Sequence, residues 1–186
     1  MNELSLYILD LVQNSVSAGA KNIRISVLID TERDELTVII EDDGCGMSAE
    51  FVKKVTSPFT TTRKTRKVGL GIPMIMQLCE MCAGRFDIKS EPGVGTTLTL
   101  SFRASHVELP PMGKLEETML SLINGTPEGI EFTLEYKKNS AGFDFNTLEV
   151  RQMLEGVPLN TPAVLTWIRD YIREGIEETD NQEEQK

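Results

Sequence analysis

Two periods of hydrophobic residues run along this chain and predict its first elements. Over residues 4–18 the apolar positions recur at helical spacing, which predicts an amphipathic helix that ends at Gly19. Apolar and polar residues then alternate over residues 23–29, as in a strand with one buried face. Residues 36–40 are apolar and β-branched and predict a second, buried strand. The chain therefore begins with a helix followed by a pair of strands.

Similar patterns continue through the middle of the chain. Ser48 is a suitable cap for a short helix that runs to about Val55, and Gly71 lies at the start of a longer helix. Two alternating runs, residues 85–90 and 96–102, are separated by a glycine-rich turn. This arrangement predicts a pair of strands joined like a hairpin.

The segment after residue 105 begins with a proline-containing joint. Beyond the joint, the periods predict the order helix, strand, strand, helix, helix. We therefore expect a first domain over residues 1–105 and a small α/β appendage over residues 106–175. Residues 176–186 are mostly acidic and polar, and we expect them to be a disordered tail.

Composition excludes several classes of function. The formal net charge of −10 argues against a nucleic-acid-binding surface, which would be basic. No apolar run reaches the roughly 20 residues that span a bilayer, so we expect no membrane segment. Three cysteines without a framework pattern indicate a reducing, cytoplasmic location. Cys79 and Cys82 lie on the apolar stripe of a helix, which favours core packing over redox or metal chemistry.

The first candidate for chemistry is the turn that follows the second strand. Asp42 places a carboxylate where the strand ends, and Gly44 and Gly46 let the backbone approach a flat ligand closely. A carboxylate at the mouth of an apolar crevice accepts a hydrogen bond from an exocyclic amine, such as that of adenine. Taken alone, the same residues also describe an ordinary turn.

The second candidate is the polar edge of the first helix. Asp10 and Asn14 are four residues apart and share one face. An asparagine amide oxygen suits Mg²⁺, and a carboxylate one turn earlier is placed to orient or deprotonate a water. A solvated edge of a surface helix is the plainer interpretation.

The third candidate, which we call the lid segment, covers residues 57–71. It combines a Pro/Thr stretch, a basic run over residues 63–67 and the glycines Gly69 and Gly71. Unpaired N–H groups at the start of the following helix form an anion site, and the basic run favours a polyphosphate. A tight connection with a solvated basic run explains the same residues without a ligand.

In this order, the three stretches resemble the Bergerat-fold (GHKL) ATPases, which include sensor histidine kinases, type II topoisomerases, mismatch-repair ATPases and anti-sigma-factor kinases. The resemblance covers about residues 1–103, and the lid segment looks most like the histidine-kinase-like ATPase domain. It implies an α+β two-layer sandwich with helices on one face of a mixed sheet. The small α/β C-terminal appendage would be an addition to that fold.

The resemblance also implies roles for individual residues. Asp42 would accept from the adenine amino group, Asn14 would ligate the Mg²⁺ bound to ATP, and Asp10 would be the catalytic carboxylate. The remaining positions that match the family's nucleotide-binding motifs are Gly44, Gly46, Met47, Phe59, Thr60, Lys67, Gly69, Leu70, Gly71 and Thr97.

Four features depart from the family pattern. Asp10 stands where the hydrolytic carboxylate is usually Glu, Lys67 replaces the first glycine of the lid, and Ser17 replaces a residue that is often basic. The module starts at residue 1, so we expect a stand-alone protein without a dimerisation or phosphoacceptor domain. The sole histidine, His106, is followed by two prolines that bar a long helix, and we interpret it as a linker residue.

We expect a nucleotide-dependent regulatory switch with slow ATPase or protein phosphotransferase activity. Its partner would be a regulatory protein that the sequence does not identify, and a homodimer is left open. Two alternatives also stay open, namely a serine/threonine kinase of the anti-sigma-factor type acting in trans and a non-catalytic ATP-binding adaptor.

Overall fold

The computed structural model describes residues 3–57 and 71–184, and within them six helices and six strands follow the predicted order. In chain order the elements are α1 Leu4–Ser17, β1 Asn22–Asp30, β2 Glu35–Asp42, α2 Ala49–Val55, α3 Gly71–Met81, β3 Arg85–Glu91, β4 Gly95–Arg103, α4 Leu115–Gly125, β5 Glu131–Lys138, β6 Ala141–Asn146, α5 Thr147–Met153 and α6 Pro162–Glu184. No helix in these two ranges is both long enough and apolar enough to cross a membrane.

The strands form one mixed sheet in the order β3-β4-β2-β1-β5-β6. β1 and β5 run parallel, and every other neighbouring pair is antiparallel. Ile40 of β2 lies opposite Ile25 of β1 and Leu98 of β4, so the alternating apolar residues of three strands meet on one face. This shared face explains why the sequence pattern was regular enough to predict the strands.

Helices cover that apolar face, and the other face of the sheet is polar. α1 contacts β2, α3 contacts β3 and β4, and α6 contacts β5 and β6. Burying one large apolar side chain contributes about 1.5–3 kcal/mol, so the packed face dominates stability. The two-layer α+β sandwich predicted from the sequence is confirmed. The largest fully buried side chains include Ile8, Leu11, Ile25, Ile40, Leu100, Phe102, Met119 and Phe132.

The local sequence signals for helix ends and for core cysteines correspond to the structural features that they predicted. Gly19 follows α1 with a φ of +78°, a conformation that glycine adopts without strain. The Ser48 side chain accepts a hydrogen bond from the Phe51 N–H and caps α2. Cys79 and Cys82 are fully buried free thiols. Burial raises the pKa of Cys79 to about 12 and also raises the pKa of Cys82, so both stay neutral and pack in the core.

The segment after residue 105 shares the sheet and the core of the first part. β5 pairs with β1 along its whole length, from Glu131 opposite Asn22 to Lys138 opposite Ile29. One continuous apolar cluster contains side chains from both parts. The predicted appendage has the expected order of elements, but it extends the first domain and does not form a second core.

The predicted disordered tail is corrected over residues 176–184, because α6 continues to Glu184. Thr179 is buried, and Asp180 accepts a 3.0 Å hydrogen bond from the Tyr136 hydroxyl. Asp180 also pairs with Lys138, at 3.3 Å. These contacts with β5 hold an acidic segment whose composition alone predicted disorder.

Candidate functional site

A cavity of about 490 Å³ lies between α1, α2, the start of α3 and the ends of β2 and β4. Its volume is in the range of about 300–1,000 Å³ that is typical of small-molecule sites. Asn14 of α1 and Asp42 of β2 both line it, although they are distant in the sequence. Its apolar walls are made by Leu11, Met47, Phe51, Val55, Ile72 and Leu98.

The carboxylate of Asp42 is held by two donors. The Ser15 hydroxyl donates to Oδ2 at 2.6 Å, and the Gly44 N–H donates to Oδ1 at 2.9 Å. Each carboxylate oxygen has a further lone pair, so Asp42 still has the capacity to accept from a ligand amine. Because both oxygens are fixed, the acceptor is oriented before a ligand arrives. The geometry is therefore that of a preformed site for an N–H donor.

Ser15 lies within the predicted first helix but was not among the predicted site residues. Ser15 is buried and lines the cavity beside Asn14. A serine at a helix position otherwise occupied by apolar residues was the available signal, because a buried hydroxyl needs a partner. The partner itself, Asp42, could be known only from the packing of α1 against the end of β2.

Asn14 occupies the cavity with its polar group available. Its side-chain amide makes no hydrogen bond with residues 3–57 or 71–184, while its backbone carbonyl accepts from Ala18 in the helix. An amide oxygen is a hard ligand of the kind that Mg²⁺ takes along with waters and phosphate oxygens. Its type and its place beside the cavity therefore fit the predicted metal ligand.

Asp10 lies next to the start of α3 and is not among the residues that line the cavity. A Cβ at Gly71 would overlap the Asp10 carboxylate, so a side chain there would force Asp10 to move. The N-terminus of a helix carries partial positive charge, which favours a carboxylate nearby. Two residues that were predicted separately, Asp10 and Gly71, are thus neighbours.

The turn after β2 is held against the turn between β3 and β4. Gly46 has a φ of +65°, and a side chain there would collide with the Glu91 carbonyl. The Met47 N–H donates to the Ser90 hydroxyl at 2.8 Å, and the Gly93 N–H donates to the Cys45 carbonyl at 2.8 Å. The second glycine-rich turn therefore supports the first one, a role that the sequence did not reveal.

Thr97, a predicted site residue, does not line the cavity, and the register of β4 explains why. Leu98 and Leu100 face the helices, so Thr96 shares their face and lines the cavity. Thr97 points to the opposite, polar face, where it borders a shallow cleft with Glu41. The sequence prediction named Thr97 and not Thr96, because the sequence does not fix where the turn ends and the alternation begins.

The neighbour of Asp42 in the sequence has a different role. Asp43 accepts hydrogen bonds from the Lys21 and Asn22 backbone N–H groups at 2.7 and 2.9 Å. Burial opposes its ionisation, but these donors outweigh the burial and hold the pKa of Asp43 below its usual value. Asp43 fastens the turn to β1 and does not line the cavity.

Five predicted site residues cannot be placed against this cavity. Phe59, Thr60, Lys67, Gly69 and Leu70 lie outside the described residues. Their predicted contacts with a nucleotide stay predictions.

Comparison with known proteins identifies the family. Residues 2–106 match the family described as histidine kinase-, DNA gyrase B- and HSP90-like ATPase. The sensor protein DegM of Bacillus sp. (strain B21-2) is 28% identical over 100 residues, which are 54% of this chain and 26% of DegM. Sporulation kinase E of Bacillus subtilis is 28% identical over 117 residues, which are 62% of this chain and 15% of that kinase.

The chain thus spans about a quarter or less of the length of these two relatives. Among solved structures, the Aquifex aeolicus MutL ATPase domain complexed with ADP is 18% identical, with a TM-score of 0.42. That likeness covers 74% of this chain and 61% of the MutL chain. Since the family match covers more than half of the sequence, the chain belongs to the histidine kinase-, DNA gyrase B- and HSP90-like ATPase family.

Proposed function

We propose that this protein binds ATP with Mg²⁺ and couples the bound nucleotide to a protein partner, with slow ATP hydrolysis or phosphotransfer. The observation that carries the proposal is the meeting of Asn14 and Asp42 in one cavity. The family match supports ATP as the ligand. The names of two relatives, a sensor protein and a sporulation kinase, support a regulatory role.

Asp42 would recognise the base. Its carboxylate accepts from an exocyclic amine, which adenine carries at the position where guanine carries a carbonyl oxygen. A carbonyl oxygen facing the carboxylate would be repelled and left without a donor, so the site would favour adenine. Leu11, Ile72 and Leu98 would supply apolar contacts for the flat ring.

Asn14 and Asp10 would act at the phosphate end. Asn14 would hold the Mg²⁺ that comes with ATP, and that ion would neutralise charge on the phosphates. Asp10 would position a water or a substrate hydroxyl close to the start of α3, where helix N–H groups attract phosphate. In phosphoryl transfer, positioning and preorganised charge supply most of the rate.

The walls of the cavity suggest how the nucleotide would reach a partner. Val55 of α2 and Ile72 of α3 both line the cavity, and these helices flank residues 58–70 in the sequence. A ligand shifts an equilibrium only through different contacts in the two states. The γ-phosphate, present in ATP and absent in ADP, is such a difference. We propose that a partner distinguishes the ATP-bound from the ADP-bound state through contacts with α2 and α3.

Phosphotransfer to a protein in trans is the second candidate, favoured by the kinase names among the relatives. Incubating the chain with γ-labelled ATP and a candidate partner separates the outcomes. Label on the partner indicates a kinase, whereas labelled free phosphate alone indicates an ATPase. Binding without either product would indicate a non-catalytic adaptor.

The proposal is tested by calorimetric titration of ATP–Mg²⁺ into the full chain and three variants. Asp42→Asn should weaken binding by about 10- to 100-fold, because a hydrogen bond to a charged acceptor contributes about 1.5–3 kcal/mol. Asp43→Asn is the matched control, since its side chain faces β1, and should bind like the wild type. Asp10→Asn should bind ATP but lose phosphate release.

Each variant also has an outcome that contradicts its assigned role. Undiminished binding by Asp42→Asn would remove Asp42 from base recognition, and wild-type turnover by Asp10→Asn would remove Asp10 from catalysis. A wild-type chain that does not bind ATP–Mg²⁺ would overturn the proposed function.

A further inference from the structure

We propose that the outer edge of β6 is a docking surface for a second copy of this chain, which would join the two sheets antiparallel through their β6 strands. The surface lies at the end of the sheet that is remote from the cavity, with β1 and β5 between β6 and β2. The proposal therefore stands independently of the proposed function.

β6 is an edge strand with free backbone groups. Within residues 3–57 and 71–184, only β5 pairs with it. Lys138 and Ala141 close a two-residue loop, so the amides of Ala141, Phe143 and Phe145 point to β5. The amides of Gly142 and Asp144 consequently point outward. An unprotected row of such groups is a template for pairing with another strand.

The opposite edge of the sheet, formed by β3, is protected against pairing with another strand, whereas the edge formed by β6 is not. Every second residue of β3 is charged and exposed, a pattern that discourages pairing at an edge. Along β6 the only charged residue is Asp144, and Gly142 carries no side chain at all. The exposed charged residues of β3 are Arg85, Asp87, Lys89 and Glu91.

An aromatic ledge, formed by Phe143, Trp167 and Tyr171, lies beside this free edge. The Tyr171 ring is 5.3 Å from that of Phe143, and the Trp167 ring stacks on Tyr171 at 5.1 Å and 13°. Trp167 is 48% exposed and Tyr171 is 42% exposed, whereas Ile168 and Ile172 on the same helix are fully buried. The aromatic ledge therefore extends exposed apolar surface from the core to β6. A strand added at the edge of β6 would cover this surface.

The charged residues on and beside β6 favour a second copy of this chain as the occupant. They also favour one register of pairing between the two β6 strands. With a twofold axis at Phe143, Gly142 of each copy lies opposite Asp144 of the other, and these pairs exchange backbone hydrogen bonds. The Lys137 stem lies over Gly142, with its Cγ 3.1 Å from where a Cβ would be. Asp144 of the second copy would thus lie beside Lys137, whose ammonium also pairs with the Glu135 carboxylate of its own strand. An axis at Asp144 would instead oppose two carboxylates.

The size of the surface sets the expected affinity. An aromatic side chain buries about 150–250 Å² in total, so the half-exposed rings of two ledges offer about 350 Å². Even with the strand edges added, this lies at the low end of specific interfaces, which begin near 1,200 Å². We therefore expect a reversible dimer in the micromolar range.

Sedimentation velocity of the full chain across micromolar concentrations tests the proposal. The wild type should dimerise with rising concentration. Trp167→Ala should raise the dimer Kd by about tenfold or more, because aromatic anchors dominate small interfaces. Asp144→Lys should raise it by about tenfold by facing Lys137, and adding Lys137→Glu to that variant should restore dimerisation.

Asp87→Lys is the matched control, because it makes the same charge reversal on the exposed edge strand β3. It should leave the dimer Kd unchanged. A wild type that stays monomeric, a charge swap that does not restore pairing, or an equal effect of Asp87→Lys would overturn the proposal.

Discussion

At the residue scale, the site depends on one hydrogen bond that joins two elements. Ser15 of α1 donates to Asp42 of β2 at 2.6 Å, and the Gly44 N–H fixes the other carboxylate oxygen. Ser15 is 4% exposed, so its hydroxyl has no access to bulk water as an alternative partner. It therefore positions the acceptor and would not itself need to touch the base.

Replacing Ser15 by Ala should weaken ATP binding by about fivefold, or about 1 kcal/mol, because Asp42 loses one of the two donors that orient its carboxylate before the ligand arrives. A freer Asp42 should also discriminate less, so the ratio of ATP to GTP affinity should fall. Calorimetric titration with both nucleotides measures the two effects together.

Ser121→Ala is the control, because that hydroxyl only donates to the Glu117 carbonyl within α4. If Ser15→Ala binds both nucleotides like the wild type, the hydrogen bond does not position Asp42.

The sequence marks candidate residues where the signal is local, but it does not show which residues packing brings to the cavity. A turn and a helix spacing mark Asp42, Gly46 and Asn14 in the sequence, and the structure places all three at one cavity. Their roles toward a nucleotide stay predictions. The cavity is lined by Thr96 and not by the predicted Thr97, since the face of a strand residue depends on where pairing starts. Ser15 was missed because its partner comes from another element.

At the element scale, α6 shows how tertiary contacts override composition. Its second half is rich in Glu, yet Thr179 is buried and Asp180 accepts from Tyr136. Burial and the Asp180 carboxylate both raise the pKa of Tyr136, so this phenol stays protonated and donates at neutral pH. The contact closes α6 over β5.

Asp180→Ala should lower the free energy of unfolding by about 1–2 kcal/mol, because the buried Tyr136 hydroxyl loses its acceptor. The Lys138 pair should add little, since Asp180 is partly exposed. Urea unfolding of the full chain measures the change. Glu177→Ala, an exposed position on the same helix, should stay within about 0.5 kcal/mol of the wild type. Equal stabilities of the two variants would show that the Asp180 contact does not hold α6.

At the scale of the whole molecule, one six-stranded sheet contains strands from both of the parts that the sequence predicted to be separate, residues 1–105 and 106–175. The hydrophobic periods predicted the type and order of the described elements because each strand and helix buries one regular face. They did not predict that β5 would pair parallel with β1, because strand partners are chosen by long-range packing. The boundary expected near residue 105 followed from the proline-containing joint, whose Pro111 and Met112 carbonyls instead accept from the first N–H groups of α1.

The central claim is that Asn14 and Asp42 act on one nucleotide. A crystal structure of the full chain with a non-hydrolysable ATP analogue and Mg²⁺ tests it most directly. The account predicts the adenine amino group within hydrogen-bonding distance of the Asp42 carboxylate, and Mg²⁺ on the Asn14 amide oxygen of the same complex. An adenine bound away from Asp42, or a metal and phosphates bound away from Asn14, would contradict it.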